Sequence, residues 1–186
     1  SSDGLAGTPA GTGARYVLMS TWEAAQQTDL VAAGDTAVLE CYAFTLTEVC
    51  TINGWITDAS NTITIKNADS AKHGGVFGVG FVMTAITLDQ SDITVSGIGF
   101  NHSSGVGLLV GSNASGNVNV NKVMIENTGN SYSVRWRFCQ TGSMINCAVR
   151  TNDAASTGFR IEVAGITFDN NTCVGTNNFS IYGTAG

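Results

Sequence analysis

The sequence predicts an all-β fold, a single-stranded right-handed parallel β-helix built from rungs of about 24 residues. Three observations lead there. First, apolar anchors recur in the second half of the chain at Val95, Val120, Met144 and Phe168, spaced by 25, 24 and 24 residues. Second, the positions around each anchor keep their character. Three residues on stand Ile98, Val123, Cys147 and Asn171, and five on stand Phe100, Ile125, Val149 and Cys173, apolar but for Asn171. Two residues after the anchors come Gly97, Lys122, Asn146 and Asn170; Gly and Asn tolerate a left-handed backbone, so this column reads as a sharp turn between two strands. Third, a further strand set alternates with period two: Val106, Leu108, Val110; Val134, Trp136, Phe138; Phe159, Ile161, Val163; Phe179, Ile181. Such alternation marks strands buried on one face. Three short strands per repeat cannot bury their apolar face without a neighbour above and below. The right hand follows from the general rule for parallel crossovers.

The elements follow in order. Residues 1–14, rich in Gly, Ser, Thr and Ala, read as a flexible N-terminal arm. Residues 15–34 read as a capping segment. Within it Ser20 followed by Glu23 has capping-box spacing, and Trp22, Ala25 and Leu30 form an apolar stripe, so a short helix is expected over 21–28. The β-helix domain is expected over 35–186, opening with strands at Ala37 to Tyr42, Val49 to Ile56 and Thr62 to Ile65. Ile65 acts as an earlier anchor, which would place Asn67 in the turn column. Its distance of 30 residues to Val95 requires a longer loop, assigned to the glycine-rich stretch from Lys72 to Gly80.

Composition narrows the function classes. One proline, 23 glycines, 12% charged and 43% hydrophobic residues in 186 suit a solenoid with many turns. A net charge of −6 and a pI near 4.6 argue against nucleic-acid or anionic-membrane partners, which need clustered Lys and Arg. No run of 18 apolar residues occurs, and Ser1 to Gly13 lacks the pattern of a secretory signal. The five cysteines, Cys41, Cys50, Cys139, Cys147 and Cys173, form no CxxC pair. They read as buried free thiols in a protein that folds in a reducing cytoplasm.

Stacking predicts side-chain neighbours about 4.8 Å apart on adjacent rungs. Glu126 and Arg150 share one outward column, and Arg137 and Glu162 share another, so each is expected to form an inter-rung ion pair that fixes register. The outward face of the last strand set gathers Arg135, Arg137, Arg160, Glu162 and Tyr182 as a candidate contact surface for a partner or glycan. Its simplest reading is a solvated face. A glycosidase needs two carboxylates roughly 5 to 9.5 Å apart, whereas this face offers one glutamate. Asp89 and Asp92 read as turn formers, with a calcium site as the rarer alternative. His73 and His102 lack partners at metal-ligand spacing. No catalytic residue, cofactor or metal site is expected, and no catalytic or nucleotide-binding motif stands in its required context.

The segment from Tyr16 through Ser20, Thr21, Trp22 and Glu23 to Gly34, Asp35 and Ala37 resembles the lead-in of bacteriophage and phage-like β-helix proteins, where a short Trp-Glu helix caps the first rung. The resemblance implies either a capsid cement or decoration protein, or a tailspike that recognises or cleaves polysaccharide. Both kinds are commonly homotrimeric. The chain departs from the tailspike pattern in being short and in lacking an acidic pair and a C-terminal trimerisation domain. The expected function is therefore a structural virion protein, assembled in the host cytoplasm, with a major capsid or other virion protein as partner. A tailspike-like role with a polysaccharide partner is the alternative. Trp22 at one end and Phe179 and Ile181 at the other are the expected end-cap or subunit contacts, the last rung being left open by the sequence.

Overall fold

A computed structural model describes residues 14–111, 116–137, 139 and 141–175, and the backbone of 5–9 and 179–181. Phe138 and Tyr182 lie outside the described residues. In chain order the elements are β1 (Leu5–Pro9), β2 (Ala14–Tyr16), α1 (Met19–Gln26), α2 (Leu30–Ala33), β3 (Ala37–Cys41), β4 (Phe44–Ile52) and β5 (Ile63–Asn67). A 3₁₀ turn at Asp69–Ala71 precedes β6 (Phe81–Leu88), β7 (Ile93–Ser96), β8 (Gly99–His102) and β9 (Val106–Val110). Then come β10 (Asn117–Asn121), β11 (Met124–Asn127), β12 (Tyr132–Trp136), β13 (Thr141–Ile145), β14 (Ala148–Thr151) and β15 (Thr157–Ile161). The last three are β16 (Thr167–Asp169), β17 (Thr172–Val174) and β18 (Phe179–Ile181).

These strands stack as a parallel β-solenoid. One sheet runs β16, β13, β10, β7, β5, β3, β1, β2; the other runs β17, β14, β11, β8, β6, β9, β12, β15, β18, with β4 on β6. The anchors fall in register: Leu39 pairs with Ile65, Ile65 with Val95, Val95 with Val120, Val120 with Met144 and Met144 with Phe168. Their side chains, with Ile98, Val123, Ile125, Val134, Trp136 and Val149, are buried in one continuous core. Three strands per rung hold only from β7 upward. In the two lower rungs β4 and β6 each do the work of two strands, and β6 pairs through Val82 and Met83 with β8 and through Ile86 to Leu88 with β9. The corner between the later strands opens at residues 103–105, where Gly105 takes a φ of 76°. The strand expected over Val49 to Ile56 is shifted accordingly, and Gly54, with φ 76°, lies beyond its end.

The turn column is left-handed as its residues predict, with φ of 73° at Gly97, 52° at Lys122, 57° at Asn146 and 48° at Asn170. Each amide is captured by the rung above: Gly97 N donates to Asn121 O, Lys122 N to Ile145 O and Asn146 N to Asp169 O. Lys122 holds this conformation without the local side-chain bonding that Asn offers, at about 1–2 kcal/mol. Asn67 does not join the column. It ends β5 in extended form, and its Nδ2 donates to Ala71 O and Gly97 O because the chain leaves this rung into the long 68–80 connection. The polar Asn171 in an inward column is explained by the rung below it: Oδ1 accepts from Cys147 N at 2.8 Å and Nδ2 donates to Met144 O at 2.7 Å.

The helix begins earlier than expected, and the Ser20–Glu23 capping box does not form. Leu18 occupies the cap position without a side-chain bond. The orphan amides of α1 are satisfied from a distance: Met19 N donates to Glu48 Oε2 at 2.9 Å and Ser20 N to Glu48 Oε1 at 3.0 Å. A bulge makes this geometry. Leu46 pairs with Met83 and Val49 with Ala85, so β4 carries one extra residue here, beside Glu48. Glu23 instead turns inward, accepting from Asn53 N and from Trp55 Nε1, both at 2.9 Å, with its pKa raised by burial against those two bonds. Trp22 is fully buried and stacks on Trp55 with centroids 5.5 Å apart.

The flexible arm expected over 1–14 needs correction at Leu5–Pro9, whose backbone forms a strand antiparallel to both β2 and β3. The edge of β3 needs hydrogen-bond partners, and β1 supplies them. All five cysteines are free; four are buried and Cys173 half-buried. Burial pushes the Cys50 thiol up to about 12 and the Cys147 thiol up to about 11. Glu48→Ala should destabilise the fold by about 1–2 kcal/mol, since it removes both cap bonds and the negative charge at the helix N-terminus. A shift of the urea midpoint with unchanged slope is the expected readout.

Candidate functional site

The outward face of β12 and β15 concentrates charge. Parallel pairing sets Arg135 beside Arg160 and carries Arg137 to the level of Glu162. Three guanidinium groups converge on that one carboxylate: Arg135 Nη2 at 3.0 Å, Arg137 Nε at 3.0 Å and Arg160 Nε at 2.6 Å. The pairing of Arg137 with Glu162 follows from column spacing. The addition of Arg135 and Arg160 does not, because it requires Glu162 to reach back along its own strand and diagonally across to the next.

Tyr132 joins the cluster from the start of β12. Its hydroxyl accepts from Arg160 Nη1 at 2.6 Å, and its ring lies 5.5 Å from the Arg135 guanidinium and 5.0 Å from that of Arg160. Sequence reading missed Tyr132, because strict alternation places a residue three positions before Arg135 on the opposite face, and β12 breaks that alternation at Ser133 and Val134, both buried. Burial raises the Glu162 carboxyl, but the hydrogen bond and charge of Arg135, reinforced by Arg160, outweigh it and hold the pKa below the usual carboxylate range. Glu162 thus stays ionised, and three arginines on one glutamate leave a local charge of +2.

The second expected pair is also brought together. Arg150 Nη2 lies 2.6 Å from Glu126 Oε1, the two residues being direct partners on β14 and β11. Phe77, from the 72–80 loop, places its ring 4.5 Å from the Arg150 guanidinium. Trp22 lies in the core beneath the first rung rather than on a contact surface. The backbone of Phe179 and Ile181 pairs with Phe159 and Ile161, and their side chains are outside the described residues.

The two histidines sit apart. His73 accepts from Gly75 N at Nδ1 and donates from Nε2 to Lys122 O at 2.7 Å. His102 is buried at the corner between β8 and β9, in register with Asn127 and, one rung further, Thr151. Neither of its ring nitrogens forms a hydrogen bond of normal geometry. Burial pushes its pKa down, with the Ser104 backbone acting in the opposite sense. Asp89 and Asp92 line an open groove of about 670 Å³ with Gln90, whose buried amide accepts from Trp55 N and donates to Thr57 Oγ1. Among the described residues no three His, Cys, Asp or Glu side chains gather as metal ligands, and no helix is long and apolar enough to cross a membrane.

Compared with known protein families, curated proteins and solved structures, the chain matches none.

Two outcomes follow from these groups. Glu162→Gln should cost about 1 kcal/mol at low salt, because it leaves three neighbouring guanidinium groups to repel one another, and the loss should shrink in 1 M salt. The pH profile of stability should also bend on the acid side. Below about pH 6.5 the unfolded chain takes up a proton that buried His102 resists, so stability falls as pH falls toward the lowered folded pKa. The contribution of Glu162 is present above about pH 4.3 and is lost as pH falls through its lowered folded pKa. Urea unfolding at pH 7.5, 6.5 and 5.5 should show the first decline in the wild type and a flat profile in His102→Gln.

Proposed function

We propose that this chain is a structural subunit of a bacteriophage particle, a capsid cement or decoration protein that assembles as a homotrimer in the host cytoplasm and attaches to the shell. The fold supports the coarser part of this reading, since a parallel β-solenoid of this kind is consistent with a structural, oligomeric protein. The observation that carries the reading further is the state of the outward carboxylates. Glu162 is clamped by three arginines and held ionised, and Glu126 is held by Arg150 and Asn152. Ionised Glu162 has no proton to donate, and both carboxylates have lone pairs already in use, which suits a register lock between rungs rather than a general acid. The Trp22–Glu23 helix closing the first rung is the other support, being the feature shared with phage β-helix proteins.

A tailspike-like reading has one specific observation in its favour. Tyr132 and the three arginines together present an aromatic ring and a net positive charge, the combination that an acidic sugar would meet well. The two readings separate cleanly by experiment. Native mass spectrometry should give three copies of the 19.2 kDa chain, and fractionated particles of the phage that carries it should show the protein with the shell. A stable monomer, recovery with the tail fraction or release of oligosaccharide from host capsule would each overturn the cement reading.

A further inference from the structure

The chain carries eight Lys and Arg residues against 14 Asp and Glu. All three of its lysines, Lys66, Lys72 and Lys122, line a single groove of about 540 Å³ beneath the glycine-rich 72–80 loop, together with His73. This is the turn edge of the solenoid, away from the arginine cluster of β12 and β15. In a chain of net charge −6, such a gathering of lysines on one groove concentrates positive potential locally.

Two of these cations already hold carboxylates. Lys66 Nζ is 3.0 Å from Glu40 Oε1, and Lys72 Nζ is 2.9 Å from Asp69 Oδ1. Both pairs are exposed, so each contributes only about 0–1 kcal/mol and exchanges readily for a better anion. Among the described residues Lys122 has no carboxylate partner. It also occupies the left-handed turn position that its neighbours in the column fill with Gly or Asn. Strain kept at a position where an unstrained residue would serve points to a use for the side chain. The loop supports the arrangement, since His73 Nε2 holds the Lys122 carbonyl at 2.7 Å and so fixes the groove's far wall.

We propose that this groove binds a multivalent oxyanion, phosphate or sulfate, free or as an ester on a larger molecule, with Lys122 as the principal charge and Lys66 and Lys72 released from their surface carboxylates to join it. A single carboxylate brings no more charge than Glu40 or Asp69 already supply, and displacing them requires a ligand with more than one negative charge. Ser96 adds a neutral hydroxyl donor to the same lining. The inference is independent of where in a particle the protein resides.

Isothermal titration of the full chain with inorganic phosphate, and in parallel with glucose 6-phosphate, tests it. One-site saturable binding is expected for at least one of the two, weakened tenfold or more in Lys122→Gly and several-fold in Lys72→Gln. Lys122→Gly removes the charge while relieving the positive φ, so loss of binding in it does not trace to loss of fold. Arg15→Gln, outside the groove lining, should bind as the wild type does. Tighter binding of the sugar phosphate identifies an ester ligand, and tighter binding of inorganic phosphate a free anion. Equal affinity in wild type and Lys122→Gly, an equal loss in Arg15→Gln, or no binding of either probe to the wild type at 50 mM or so would overturn the proposal.

Discussion

Everything in this fold depends on each turn of chain returning to the same place, one strand spacing higher. From β7 upward the constraint is met at a single backbone position per rung, where Gly97, Lys122, Asn146 and Asn170 all turn left-handed and the first three pass their amide hydrogens to the rung above. Once that position is fixed, the residues around it have no freedom. The anchor two residues earlier must face inward, the residue after the turn must face inward too, and every outward side chain meets its counterpart about 4.8 Å away. The core and the ion pairs are consequences of that repeat. Only the ends escape it, and there the chain uses other devices: an antiparallel strand along β3, a helix beneath Trp55, and a glutamate lifted out of β4 by a bulge.

How much of this was legible depended on whether a contact repeats. The anchors, the turn column and the pairing of Glu126 with Arg150 can be read from spacing, because parallel stacking maps a sequence interval directly onto a neighbour. Glu48 is different. Its partners are 28 and 29 residues away in the helix, outside any repeat, and the bulge that aims it leaves no mark in the alternation of β4. The apparent capping box misled for the same reason: Glu23 has the right spacing for a local bond, but a tryptophan indole and a backbone amide across the end of the solenoid compete for it successfully. Asn67 shows the converse. Its residue type and offset fit the turn column, yet the rung to which it belongs does not turn there.

The charged face illustrates a limit of column reasoning. Spacing gave one arginine for Glu162, and the structure gives three, because long side chains reach diagonally as well as straight up the stack. A carboxylate shared in this way belongs to two rungs at once. Its neighbours also collect around the Tyr132 ring, so one aromatic residue orders two guanidinium groups that would otherwise repel.

The loop between β5 and β6 has a consequence for how the molecule comes apart. In an ordinary solenoid each rung speaks only to those next to it, so unfolding can travel from an end one step at a time. Here a loop that belongs to the second rung reaches past the third, with His73 on Lys122 in the fourth and Phe77 against Arg150 in the fifth. An opening front that starts at the last rung meets a tie anchored three storeys below. The middle of the stack then opens together or not at all, and local fraying is confined to the rung above the reach of Phe77.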